Sequence, residues 1–94
     1  MKSGISAAMF EQVYEVIRER KQSSPEESYV ASLMTKGTDS ILKKIGEESA
    51  EVIIAAKNKN RDEQIHEITD LWFHLLVLLV DQGLTLEDIS IDFE

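Results

Sequence analysis

Apolar residues along this chain recur every three to four positions rather than every second one, and only one proline and four glycines interrupt them, so the pattern predicts helices throughout. A first helix is expected after Ser6, with Phe10, Val13, Tyr14 and Ile17 on one stripe, Ser being a good N-cap type. The polar run Arg18 to Ser24, closed by Pro25, reads as a linker. A short helix from about Glu26 to Met34 should then end at Gly37. Thr38 or Asp39 is placed to cap a longer helix to about Lys59, with Ile41, Leu42, Ile45, Ser49, Val52, Ile53 and Ala56 on one side.

Asn60 with Glu63 three residues on marks another helix start, and from Arg61 to Gln82 apolar side chains almost encircle the axis. A helix apolar on nearly every side must be covered on nearly every side, which points to a bundle centre or a dimer interface. Gly83 ends it, and Thr85 with Asp88 should cap a last short helix from Leu86 to about Phe93. No internal repeat or low-complexity segment is present. With 94 residues the expectation is a single all-α domain, residues 1–94, with a modest core and a partner subunit covering what that core cannot.

Charge and composition narrow the function. Eighteen acidic against ten basic residues give a net charge of -8, which argues against nucleic acid, whose phosphates are held by clustered Lys and Arg. The basic residues Lys36, Lys43, Lys44, Lys57, Lys59 and Arg61 occupy one central stretch, with no Lys or Arg beyond it. Any anion should be held there. Without cysteine there is no disulfide, thiolate metal site or Cys nucleophile. No secretory h-region is seen, and the longest apolar run, Leu75 to Val80, is far short of the roughly 20 residues of a membrane span. The expectation is a soluble, cytoplasmic protein without a membrane or nucleic-acid partner.

The chemistry rests on carboxylates. At about 100° per residue, Glu48 and Glu51 lie about 60° apart along one edge of the apolar stripe of their helix, while Glu47 points further out. Glu67 and Asp70 repeat the same i, i+3 relation on the next helix, and His74 continues their face. Acidic helix positions are usually a solvated face. Glu67 and Asp70, however, interrupt the most apolar helix, which has no Lys or Arg beyond Arg61 to offset them. A hard divalent cation is the simplest remedy for four gathered carboxylates, and oxygen ligands suit Mg²⁺ or Mn²⁺. Beside such an ion a phosphate anhydride could be hydrolysed, with Glu47 as candidate base and Lys44, Lys57 and Arg61 placed to meet phosphate oxygens. His74 reads more simply as a hydrogen-bonded core residue than as a ligand, His66 as exposed, and Trp72 and Phe73 as core or interface. No Gly-rich phosphate loop and no Cys/His zinc pattern occurs.

Glu47-Glu48-Ser49-Ala50-Glu51 followed by Glu67-Ile68-Thr69-Asp70 resembles the E-E-x-x-E and E-x-x-D signature of the MazG-like all-α nucleoside triphosphate pyrophosphohydrolases. The stretches Ser28-Tyr29-Val30, Lys36-Gly37, Ile41 to Glu48, Ala55-Ala56-Lys57-Asn58 and His74 to Leu79 are similar to the phosphoribosyl-ATP pyrophosphohydrolases of histidine biosynthesis, across roughly residues 28–89. The resemblance implies Mg²⁺-dependent hydrolysis of phosphoribosyl-ATP to phosphoribosyl-AMP and pyrophosphate on a helical bundle completed by homodimerisation. It implies Glu48, Glu51, Glu67 and Asp70 as metal ligands and Glu47 as an accessory acid. Lys57 and Asn58, with Lys43, Lys44 and Arg61, would face substrate phosphates or ribose. It gives no role to the segment before Ser28 or to the acidic tail from Glu87. Competing readings are a relative that removes surplus nucleoside triphosphates and a non-catalytic helical dimerisation module.

Overall fold

The computed structural model describes residues 3–94, and side chains from residue 8 onward. Five helices follow in order: α1 Ser3–Arg20, α2 Tyr29–Lys36, α3 Thr38–Lys57, α4 Arg61–Gln82 and α5 Leu86–Asp92. No strand occurs among the described residues. The all-α expectation is met.

Local chemistry explains where the elements stop. α2 starts later than the sequence suggests because Ser28, not a residue near Pro25, is its N-cap: the buried Oγ accepts from the Ala31 N–H at 3.2 Å, leaving Glu26 and Glu27 in a turn. Likewise Ser6 lies inside α1 rather than before it. Neither Thr38 nor Asp39 caps α3. The cap position belongs to Gly37, which has no side chain to offer, and the Thr38 hydroxyl is committed elsewhere, donating to Asp81 at 2.8 Å and so tying the start of α3 to the end of α4. The other starts match expectation. Asn60 Oδ1 accepts from the Glu63 N–H at 3.1 Å, and Thr85 with Asp88 forms a reciprocal capping box. Gly83 ends α4 at a left-handed φ of 71°, a conformation cheap only for glycine, and α5 turns away from α4 by 106°.

α3 and α4 form a hairpin closed by the turn Asn58–Asn60 and packed along their length. α1 and α2 lie against one end of it. There Ile17, Val30, Leu33, Ile41, Leu76, Val77 and Val80 make the core, ringed by Phe10, Val13, Tyr14, Met34 and Ile45. The Tyr14 hydroxyl donates to the Leu84 carbonyl at 2.7 Å, fastening α1 to the α4–α5 turn.

One packing expectation needs correction. On α3 the residues turned inward are Ile41, Glu48 and Ala55, with Ile45 and Val52 partly covered, whereas Leu42, Ile53 and Ala56 are exposed. Spacing by seven follows from two helices lying nearly side by side, and periodicity alone does not say which flank of a stripe meets the neighbour. Within one chain α4 buries only His74, Leu76, Val77 and Val80. Ile65, Ile68, Trp72 and Leu75 remain exposed. No single helix among the described residues is long and apolar enough to cross a membrane.

Candidate active site

The α3–α4 seam carries the acidic residues. Hairpin geometry places successive turns of α3 opposite successive turns of α4, so Glu51 meets Glu67 and Glu48 meets the turn from Asp70 to His74. The Glu67 carboxyl is held above its usual range by partial desolvation, by the charge of Glu51 and by a hydrogen bond shared with it, against the opposing effect of His66; Asp70 adds to the rise. Two carboxylates thus press on each other across the seam, where one proton or cation relieves both.

One turn along, Glu48 is the buried acid of the molecule, 5% exposed. An uncompensated carboxylate in such surroundings costs several kcal/mol. Its nearest polar neighbour is His74, also 5% exposed, whose Nδ1 stands 2.6 Å from Glu48 Oε1 and 2.9 Å from the Asp70 backbone carbonyl. Nδ1 is thus within reach of two oxygens at once, the carbonyl in hydrogen-bond geometry and Oε1 in close polar contact. On the far side of the ring Nε2 lies 2.7 Å from the Tyr29 hydroxyl. The phenol of Tyr29 is raised by burial; Lys44 opposes this, and Glu48, Asp70 and Glu47 add to it. Tyr29 therefore stands over this end of the seam.

The weighting of the acids reverses the sequence-based expectation. Glu67 and Asp70, expected to be the buried pair because α4 is so apolar, are only partly covered; Glu48, on the helix whose acids read more easily as a solvated face, is buried. α4 is apolar all round but its acidic stripe runs along the open edge of the seam, whereas Glu48 sits on the line Ile41–Glu48–Ala55 that packs inward. Glu51 and Glu47 are exposed. Among the described residues no group of three or more Asp, Glu or His gathers at the spacing of a closed metal shell. The four acids share a seam without converging on one point.

The basic candidates flank that seam at both ends. Lys43 and Lys44 line a recess of about 220 Å³ with Lys36, Ser40 and Glu47, and Lys44 Nζ is 4.0 Å from Glu47. Lys57 ends α3, Asn58 follows in the turn and Arg61 opens α4, all exposed. Lys57 lies six residues beyond Glu51 and Arg61 six before Glu67, so each is about 9 Å along its helix from that pair. His66 is exposed, as expected, with Nε2 3.4 Å from Asp70. His74 is the hydrogen-bonded core residue that its apolar helix suggested. Tyr29 received no role from the sequence: no periodic signal links residue 29 to residue 74, which only the packing of α2 across the hairpin brings together.

The model of one family, phosphoribosyl-ATP pyrophosphohydrolase, matches residues 10–94. The chain belongs to that family. Among the relatives of this phosphoribosyl-ATP pyrophosphohydrolase family member is a phosphoribosyl-ATP pyrophosphatase of Leptospira biflexa, 56% identical over 80 residues, which cover 85% of this chain and 87% of the relative. Another, from Aromatoleum aromaticum, is 47% identical over 89 residues, 95% of this chain and 82% of the relative. A histidine biosynthesis bifunctional protein HisIE of Thermus thermophilus is 57% identical over 79 residues, which are 84% of this chain but 37% of that longer protein. The family match also takes in α1 from residue 10 onward and the tail after residue 89, both of which the sequence resemblance left aside.

Proposed function

We propose that the protein hydrolyses phosphoribosyl-ATP to phosphoribosyl-AMP and pyrophosphate in a Mg²⁺-dependent reaction, the second step of histidine biosynthesis, in the cytoplasm and as a homodimer. Membership of the family carries the substrate class. The observation that carries the site is the buried Glu48 carboxylate, whose Oε1 has only the contact with His74 Nδ1 to offset it, on the seam where Glu51 and Glu67 repel each other.

The chemistry of the donor set suits the ion, although the four acids line a seam rather than one point: all offer hard oxygen atoms, and a buried carboxylate is stabilised by a cation or a donor. Glu48, Glu51, Glu67 and Asp70 would hold Mg²⁺, and Mn²⁺ could substitute. When bound, the ion neutralises phosphate charge and lowers the pKa of a coordinated water. Glu47, on the same helix but turned to solvent, would take a proton from the attacking water. Lys43 and Lys44 at one end, and Lys57, Asn58 and Arg61 at the other, bind and orient the phosphates and ribose.

Pyrophosphate release from phosphoribosyl-ATP against a panel of nucleoside triphosphates tests this reading. Phosphoribosyl-ATP should be preferred by a wide kcat/KM margin; preference for the panel would replace the pathway assignment with triphosphate removal, and no turnover of either with Mg²⁺ would favour a non-catalytic dimerisation module.

A further inference from the structure

We propose that Tyr29 and His74 are positioning residues: a hydroxyl-to-imidazole relay that sets the Glu48 side chain and the Asp70 backbone in one register. This rests on the reading of Glu48 and Asp70 as metal ligands and goes beyond it.

The geometry decides which ring nitrogen carries the proton. Nδ1 of His74 faces two oxygens, the Asp70 carbonyl at 2.9 Å and Glu48 Oε1 at 2.6 Å. A bare nitrogen lone pair pointed at two oxygen lone pairs would be repelled by both, so Nδ1 holds the hydrogen. In the neutral ring Nε2 is then an acceptor and needs a donor. The Tyr29 hydroxyl supplies it at 2.7 Å. A phenol is protonated at neutral pH, so that hydroxyl can donate.

The ring has little freedom. Tyr29 and Phe73 both meet it edge-on, at centroid distances of 5.6 and 5.2 Å, and they stack on each other at 6.4 Å. α2 anchors the outer end, since Tyr29 is the first residue after the buried N-cap Ser28. One imidazole therefore touches an acid of α3 and the backbone of an acid of α4, while α2 supplies the donor that holds the far side of the ring. Without the Tyr29 hydroxyl, Nε2 is left buried without a donor and the ring is free to turn away. Glu48 Oε1 and the Asp70 carbonyl then lose the one group that holds them in common.

Partners that orient metal-ligating groups typically contribute roughly 10–100-fold to metal affinity. The experiment measures Mn²⁺ binding to the protein without substrate, by the electron paramagnetic resonance signal of free Mn²⁺, with thermal melting as the fold control. Tyr29→Phe keeps the ring and removes only the hydroxyl. It should weaken Mn²⁺ binding roughly tenfold at a nearly unchanged Tm. His74→Leu should weaken it further, and His74→Asn, whose amide nitrogen can stand where Nδ1 stood, should recover part of the loss, which a purely space-filling role would not predict. If His74→Leu does not fold, Tyr29→Phe decides alone. Parental affinity in folded Tyr29→Phe and His74→Leu overturns the relay. Glu48→Gln separates the two layers: if it loses Mn²⁺ binding while Tyr29→Phe does not, only the relay falls, whereas parental affinity in Glu48→Gln, or no binding by the parent, removes the metal reading and the relay with it.

Discussion

Glu67 shows how a functional arrangement is paid for in stability. Its carboxyl is raised in the folded chain by partial desolvation and by Glu51, and in the unfolded chain it returns to the ordinary range. Between those two values the folded state binds more protons than the unfolded one, so stability falls as pH rises through that interval, and the repulsion is present in full above the folded pKa. In metal-free protein, Glu67→Gln should therefore raise the Tm at neutral pH. The gain should shrink as pH is lowered toward the ordinary carboxylate range; a gain independent of pH would mean that Glu51 is not the cause. Asp70→Asn makes the complementary case. Losing one charged oxygen donor should abolish Mg²⁺-dependent turnover while leaving the helices intact by circular dichroism, and a fully active variant would contradict the assignment of Asp70. The acidic positions of this site were legible as types and spacings. Their burial was not, because Glu48 owes its cover to the line of α3 that packs inward, and no single helix reveals which line that is.

At the scale of elements, the turn between α3 and α4 sets the register on which the seam depends. Asn58, Lys59 and Asn60 close it: the Asn60 N–H reaches back to the Ala55 carbonyl at 3.2 Å and the Lys59 N–H to that of Ala56 at 3.1 Å, the pairing of a Schellman cap. Lys59 occupies the left-handed position of that cap at φ 57°, where glycine is usual. Lys59→Gly should relieve about 1 kcal/mol of backbone strain, partly offset by the greater freedom of glycine when unfolded. Asn60→Ala removes the cap of α4 and should cost about 1 kcal/mol. Opposite changes in Tm at adjacent residues, the loss amounting to about 4–8 °C, are the expected signature in thermal melts, and equal signs would contradict this account of the turn. Helix existence was readable from spacing and from Asn60, Gly83 and the Thr85–Asp88 box, which act within their own segment. The starts of α2 and α3 were not, since Ser28 competes with the acidic residues just before it and Thr38 spends its hydroxyl on Asp81, 43 residues away.

For the molecule as a whole, apolar surface exceeds what one chain can cover. Ile65, Ile68, Trp72 and Leu75 are exposed and follow each other by three, four and three residues, the spacing of a seam between two packed helices. Beside them an apolar groove of about 490 Å³ is lined by Phe10, Trp72, Leu75, Leu79, Ile89 and Phe93, and Ile53 and Ile54 are bare on α3. The sequence displayed an apolar α4 but not whose surface covers it, because periodicity is blind to whether a neighbour comes from the same chain. A second copy of this chain satisfies the pattern: a two-fold seam meets its own stripe, so every apolar residue is used twice. Trp72 also packs edge-on against Phe10, with centroids 4.9 Å apart, so a change there loosens its own subunit too. Ile65, toward the bare end of the hairpin and 49% exposed, is the cleaner probe. In the proposed dimer Ile65→Lys sets two cations into an apolar seam, where neither is paired. Sedimentation equilibrium should give the parent twice the 10.7 kDa of one chain and the variant a value near that of one chain. A parent that sediments as a monomer at tens of micromolar would leave the α4 stripe without its proposed cover, and an Ile65→Lys variant that stays dimeric would move the interface to the groove beside α5.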